Sequence, residues 1–137
     1  MSLSESQKTF TESMRCMYPG LFPVSRDEDC AINSFGIEVF PGWFPVVEDM
    51  LGRIAKYVAK IDLIPQIYIM QIKRDFCSLR CEFNEYNSDL VKIVGSYTVA
   101  TSKICEQCGS PGTFRAHRRW KMILCDACDA AKKDAFR

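Results

Sequence analysis

The chain has 137 residues, with eighteen lysines and arginines against seventeen acidic residues, and its formal net charge is +1. This length fits one domain with a buried core. The near-neutral charge argues against a generally basic nucleic-acid binder and against an acidic mimic of DNA. The start of the chain is polar, and Pro65, Gln66 and Gln71 interrupt its most apolar stretch. We therefore expect neither a signal peptide nor a membrane span.

The first half of the chain alternates helix signals with turn signals. Ser4 and Gln7 fit a capping box, which predicts a helix that ends before Pro19 and Gly20. Residues 19–34 are predicted to form a loop, and the charged run at 26–29 is interpreted as a solvated segment. Residues 35–40 alternate in polarity, which predicts a short strand.

A second helix is predicted to open at Trp43, because an apolar stripe at helical spacing follows that residue. Residues 67–74 and 79–83 then predict two antiparallel strands. Asn87 or Ser88 is expected to cap a further helix that runs directly into Cys105. Residues 1–104 are thus predicted to form an α+β core, in which a small antiparallel sheet packs with about three helices.

Two CxxC pairs carry the strongest signal in the sequence. They consist of Cys105 with Cys108 and of Cys125 with Cys128, and sixteen residues separate the pairs. Four thiolates converging at roughly 2.3 Å satisfy one tetrahedral zinc ion and leave no open position, which indicates a structural metal. A pair of redox dithiols is the alternative.

Residues 105–137 are predicted to form a zinc module, built as a treble clef of knuckle, hairpin and terminal helix in preference to an all-β ribbon. Residues 120–124 are expected to supply one of its strands. Asp126 and Asp129 would begin the terminal helix, and Lys132, Lys133 and Arg137 would end it, as the helix dipole favours. Because a helix leads straight into the knuckle, we expect the module to be integrated with the core in a single compact domain.

The zinc module is the basic part of the chain. It places Arg115, His117, Arg118, Arg119 and Lys121 around Trp120. We interpret these five residues as a docking patch for phosphates or for an acidic protein surface, with a solvated hairpin as the alternative. Trp120 itself is expected to fill the core beside the zinc. The remaining cysteines, at positions 16, 30, 77 and 81, are interpreted as packing residues.

With these residues placed, residues 10–128 resemble a family of small uncharacterised phage and prophage proteins. The resemblance rests on Tyr18-Pro19, Phe35-Gly36-Ile37-Glu38, Gly42-Trp43, Gln71, Lys73, Phe76, Leu79-Arg80, Cys105-Glu106-Gln107-Cys108-Gly109-Ser110-Pro111-Gly112 and Leu124-Cys125-Asp126. The chain departs from the pattern at Cys77, where the family has glycine, and at Cys128, where it has histidine. Either ligand type at 128 would close a zinc site.

The resemblance implies a phage-borne protein that acts in the cytoplasm of a bacterial host. We hypothesise a non-enzymatic accessory protein that binds and inhibits a host protein complex, such as a CRISPR–Cas antiviral system. A nucleic-acid-binding regulator that acts through the basic hairpin is the alternative. The enzymatic alternative is a degenerate HNH-type nuclease, but His117 is the only histidine and lacks the partner ligand that such a site needs.

Overall fold

The computed structural model describes residues 4–24, 30–61 and 66–132. Its α-helices are α1 (Glu5–Met17), α2 (Ala31–Phe35), α3 (Phe44–Lys60), α4 (Ser88–Thr101) and α5 (Asp126–Ala131). Its strands are β1 (Ile37–Glu38), β2 (Ile69–Asp75), β3 (Ser78–Phe83), β4 (Thr113–Phe114) and β5 (Ile123–Leu124). The expectations for residues 26–29, Pro65, Lys133 and Arg137 lie outside the described residues.

The predicted α+β class is confirmed, with one correction to the sheet. Strands β2 and β3 pair in the expected antiparallel direction, but β1 lies parallel to β2, with Ile37 opposite Ile72. The three-stranded sheet, in the order β1-β2-β3, is therefore mixed. The reason is the connection: the chain passes from β1 to β2 through α3, and a helical crossover joins parallel strands.

The long helices begin where the sequence predicts. Ser4 and Gln7 form the reciprocal capping box at the start of α1, and Asn87 caps α4 by accepting a hydrogen bond from Leu90 N. The interval 19–34, predicted as a loop, holds a 3-10 turn at Pro19–Leu21 and the beginning of α2. Because α2 uses residues up to Phe35, strand β1 is shorter than expected.

The main hydrophobic core of the described residues lies between the sheet and the helices, and a second, smaller cluster contains Cys105, Met122 and Leu124. Trp43 at the start of α3 is fully buried, and the apolar stripe of α3 contributes Val47, Leu51 and Ile54 at 0% exposure. Among the described residues, no helix has both the length and the apolar character needed to cross a bilayer.

The additional cysteines divide between core and surface. Cys30 is buried as expected, and Cys77 is buried in the turn between β2 and β3. Cys16 is exposed, so its predicted packing role is wrong. Cys16 lies near the end of α1, on a different side of the helix from Met14, which faces the core.

Candidate metal centre

The four predicted ligands converge on one point. The sulfur atoms of Cys105, Cys108, Cys125 and Cys128 all lie within 4.8 Å of one another. The Sγ atoms of Cys108 and Cys125 are 3.7 Å apart. A tetrahedron of thiolates at about 2.3 Å from a zinc ion separates its sulfurs by about 3.8 Å. The cluster is therefore already close to the geometry that zinc requires.

The first pair of ligands lies on a tight knuckle. Gly109 has φ +84°, a left-handed conformation that glycine adopts without steric cost, and its N–H donates to Cys105 O at 3.0 Å. Cys105 N donates to Ser110 O at 2.7 Å. Gly112 packs so closely that a Cβ there would lie 2.9 Å from Cys105 N. These contacts fix the backbone that aims Cys105 and Cys108 at the centre.

The second pair lies at the start of α5. Cys125 is the N-cap residue, and its Sγ accepts a hydrogen bond from Cys128 N at 3.4 Å. The β4–β5 hairpin joins the knuckle to this helix, with Thr113 opposite Leu124. Knuckle, hairpin and helix thus follow in the predicted treble-clef order, and one helical turn holds the last two ligands.

The protonation of the thiols differs across the cluster. Hydrogen bonds from the side chain and backbone of Ser110 lower the pKa of Cys108 to about 6. This lowered pKa favours the thiolate, the form that binds metals. For Cys128 the effect is opposite: the hydrogen bond between its thiol and the Cys125 sulfur raises the pKa of Cys128 to about 12. A divalent cation would reverse this effect, because coordination deprotonates a thiol.

The donor set fits one structural zinc ion. Four cysteine ligands fill the four tetrahedral positions, so a bound zinc ion would cross-link the knuckle to α5 and would hold no water or substrate. Cys105 is fully buried, whereas Cys108 is exposed, so the site lies at the surface with one side facing solvent. The expected single zinc site is confirmed as a cluster of these four cysteines.

The module shares backbone hydrogen bonds with the core. Gly42 N donates to Glu106 O at 2.8 Å. Beside this contact, the Trp43 indole donates to the carbonyl of Ile104, the last residue of the predicted core, at 3.0 Å. A Cβ at Gly42 would lie 2.2 Å from Cys105 O, so only glycine permits this approach. The entry to α3 therefore lies directly against the metal knuckle.

A buried ion pair forms a second connection, which the sequence analysis missed. Arg74 on β2 contacts Glu106 inside the knuckle, and the Glu106 side chain is 0% exposed. The other carboxylate oxygen of Glu106 accepts from Ile123 N at 2.8 Å. Arg74 also donates to Lys121 O at 2.9 Å. The sequence did contain a signal for this pair. Glu106 lies between Cys105 and Cys108, and a carboxylate buried inside a packed knuckle requires a positively charged or hydrogen-bonding partner.

Two of the five predicted docking residues act inside the module. Arg115 donates to Leu124 O and lies 2.8 Å from an Asp126 oxygen. Arg118 is only 5% exposed and donates to Asp129 and to Lys132 O, each at 2.8 Å. The expectation of a surface patch is therefore wrong for Arg118, because its guanidinium is used to hold the end of α5.

Asp129 is the acidic residue that Arg115, His117 and Arg118 all approach. Burial opposes its ionisation, but the hydrogen bond from Arg118 and the charges of His117 and Arg115 outweigh it and lower the pKa of Asp129. His117 Nε2 lies 3.5 Å from an Asp129 oxygen, and the histidine side chain is 63% exposed. The basic hairpin is thus partly neutralised from within.

The remaining predicted residues lie at the surface. Arg119 and Lys121 are exposed, and Lys121 Nζ donates to Arg118 O. Trp120 is 46% exposed, so its predicted place in the core is wrong. Met122 and Leu124 pack with Cys105 inside the module instead, and Ile123 packs into the main core. The Arg74 guanidinium carbon lies 5.9 Å from the centroid of the Trp120 ring.

The turn between β2 and β3 meets this surface. Phe76 and Cys77 have φ +52° and +66°, and Phe76 is 95% exposed. Two consecutive left-handed residues are typical of a type I′ hairpin turn, which favours Asn-Gly. The thiol of Cys77 donates to Lys121 O at 3.2 Å, so the turn contacts the zinc hairpin.

Comparison of the chain with protein-family models, with curated proteins and with solved structures finds no match. The phage-family resemblance stays a prediction based on the residues quoted above.

Proposed function

We propose that this chain is a non-enzymatic, zinc-containing phage accessory protein that binds and inhibits a bacterial host protein complex. An antiviral defence system such as CRISPR–Cas is the first class of target to test. Two properties support the proposal: the phage-like sequence pattern, and a four-thiolate metal site whose bound zinc would have no position for a substrate.

The observation that carries the proposal is the exposed aromatic side chain on a strained turn. Phe76 has φ +52° and is 95% exposed. A bulky residue in the left-handed region costs of order 1–3 kcal/mol, and such outliers cluster at binding sites. In the free protein the ring receives little packing in return. Burial of the Phe76 ring against a partner would contribute binding free energy that offsets the cost of its left-handed conformation.

Lys121 adjoins this turn, because Cys77 and Arg74 both donate to its backbone carbonyl. The Trp120 ring lies beside Arg74, and Arg119 precedes Trp120 in the chain. We call Phe76, Trp120, Arg119 and Lys121 the aromatic–basic surface. Trp and Arg are the residue types most enriched among the side chains that dominate protein–protein binding. Two connections to the core, through Gly42 and Glu106, hold the hairpin in place, so that docking would order few groups.

The charge distribution favours a protein partner over nucleic acid. Arg115 and Arg118 are paired with Asp126 and Asp129, which leaves fewer cations to neutralise phosphates. A nucleic-acid complex would weaken steeply with salt, in proportion to the phosphates neutralised. A complex anchored by Phe76 and Trp120 should instead survive moderate salt.

The test is affinity capture of the tagged, zinc-loaded protein from nuclease-treated bacterial lysate, followed by titration against the purified partner. Phe76→Ser and Trp120→Ser should each weaken binding at least tenfold, which corresponds to about 1.4 kcal/mol. Tyr86→Ser is the matched control, because Tyr86 is an aromatic residue with 82% exposure outside this surface. Capture that disappears after nuclease treatment, or is equal for all three variants, would contradict the proposal.

A further inference from the structure

Strand β3 forms one edge of the three-stranded sheet, and among the described residues no strand pairs with its outer side. A groove of about 510 Å³ runs along this edge. On the far side the groove is bounded by Val91, Val94, Gly95 and Thr98 of α4. An unpaired edge strand beside an apolar groove can accept another strand.

The backbone groups that point into the groove follow from the hairpin. Asp75 and Ser78 close a two-residue turn, so they exchange backbone hydrogen bonds with each other. The next residue, Leu79, must then point outward, and Thr98 Oγ1 of α4 donates to Leu79 O at 2.9 Å, which leaves that carbonyl one lone pair for a second strand. By alternation the backbone groups of Cys81 and Phe83 also point outward.

A second copy of β3 can pair with this edge in only a few registers. Residues whose backbone groups point outward must lie opposite residues of the same kind in the second copy. These residues alternate along β3, so a two-fold axis must pass through one residue position and not between two. Two registers, centred on Arg80 or on Cys81, overlap five of the six residues of β3. The register centred on Arg80 would oppose that residue to itself, and like charges directly opposite are destabilising.

The register centred on Cys81 opposes unlike charges. It places Arg80 opposite Glu82 of the second copy, twice by symmetry, at positions between the hydrogen-bonded pairs, where side chains are closest. Both residues are exposed. Arg80 Nε lies 3.3 Å from Asp75 of its own chain, which orients the guanidinium on this face. Of the two registers, only the one centred on Cys81 places opposite charges across from each other.

Helix α4 presents a self-complementary apolar face beside the groove. Val91 is 54% exposed and Val99 is 66% exposed, and each lies about one helical turn from Gly95, on opposite sides of it along α4. No atom lies within 4 Å of a Cβ built on Gly95. A small residue between two exposed valines permits close approach of a second helix, which would cover apolar surface that water now contacts.

We propose that two copies of this chain associate through antiparallel pairing of β3 about a two-fold axis at Cys81, forming a continuous six-stranded sheet. The exposed faces of the two α4 helices cover each other beneath the junction.

The experiment is sedimentation equilibrium of the zinc-loaded protein, with charge-swapped variants. Arg80→Glu and Glu82→Arg should each weaken self-association by roughly tenfold, because two attractive pairs become two repulsive pairs. The double variant R80E/E82R restores opposite charges across the axis and should recover most of the loss. Glu85→Arg is the matched control, since Glu85 is exposed but follows β3. Melting curves establish that each variant is folded.

Amide hydrogen exchange provides a second measurement. The N–H groups of Cys81 and Phe83 should become more protected as protein concentration rises, whereas an N–H outside the junction should not. A chain that stays monomeric up to about 1 mM would overturn the proposal. A dimer unaffected by both single charge reversals would also overturn it. A monomer that loses host binding on Arg80→Glu would assign the edge to a partner strand and would equally overturn self-association.

Discussion

The Arg74 guanidinium and the Glu106 carboxylate form the electrostatic contact between the sheet and the metal knuckle, with Nε 2.5 Å from Oε1. Arg74 lies on β2, next to the β2–β3 turn, whereas Glu106 lies between two metal ligands. Around them, Ile123 N donates to the carboxylate and Lys121 O accepts from the guanidinium. Because the pair and its hydrogen-bond partners join β2, the knuckle and the β4–β5 hairpin, breaking it affects both parts of the chain.

We predict that Glu106→Ala lowers the free energy of unfolding by about 3–5 kcal/mol, because it leaves a largely buried guanidinium without its carboxylate. The double variant with Arg74→Met should lose less than Glu106→Ala alone, since it removes the uncompensated charge. Urea denaturation measures both. Lys8→Met is the control: its pair with Glu5 is exposed on both sides, and such pairs contribute about 0–1 kcal/mol. Equal losses for Lys8→Met and Glu106→Ala would contradict the prediction.

Zinc should be bound at one equivalent per chain, and Cys125→Ser should abolish stoichiometric binding. The same substitution should lower the melting temperature by about 10 °C or more, because structural metal binding is part of the folding free energy. Metal analysis and thermal melts test this. Cys16→Ser, an exposed cysteine outside the cluster, should leave zinc content and melting unchanged. A normally folded protein that contains no zinc would refute the assignment.

Arg118 and Arg119 are neighbours in sequence with different expected effects. Arg118→Ala removes buried hydrogen bonds to Asp129 and to Lys132 O, and we predict a loss of about 2–3 kcal/mol together with faster zinc release to a chelator. Arg119→Ala, at an exposed position, should stay within about 0.5 kcal/mol. Similar stability for the two variants would show that the Arg118 contacts do not support α5.

Phe76→Asn should stabilise the fold by about 1 kcal/mol, because asparagine tolerates the left-handed conformation that Phe76 adopts at φ +52°. If the aromatic–basic surface binds the host partner, the same variant should lose affinity while gaining stability. Tyr86→Asn is the control, since Tyr86 is also an exposed aromatic and, unlike Phe76, is not among the residues with positive φ. Destabilisation by Phe76→Asn would show that the ring contributes to the free fold.

Features encoded by neighbouring residues could be predicted from the sequence. The capping box of α1, the stripe of α3 and the CxxC pairs each depend on spacings of a few residues, and the structure confirms them. The antiparallel β2–β3 hairpin follows from alternation on either side of a short turn. The parallel pairing of β1 could not be predicted, because it depends on where α3 returns the chain.

The roles of the basic side chains were harder to predict for a related reason. Arginines at 115, 118 and 119 look alike in the sequence, but only the folded module shows that Arg115 and Arg118 face the acidic start of α5. Trp120 was expected inside because a small module needs apolar filling. Met122 and Leu124 supply that filling together with Cys105, and the Trp120 ring is 46% exposed.

Gly42 reaches across the boundary between residues 104 and 105, because its N–H donates to Glu106 O in the predicted zinc module, whereas the Trp43 indole donates to Ile104 O, the last residue of the predicted core. A chain cut there would leave Gly42 N without its acceptor and Arg74 without its carboxylate. The first 104 residues are therefore expected to be a poor independent expression unit. In a growing cell, the same sharing makes the yield of folded protein a function of zinc supply, so that metal starvation would deplete the whole molecule rather than one end of it.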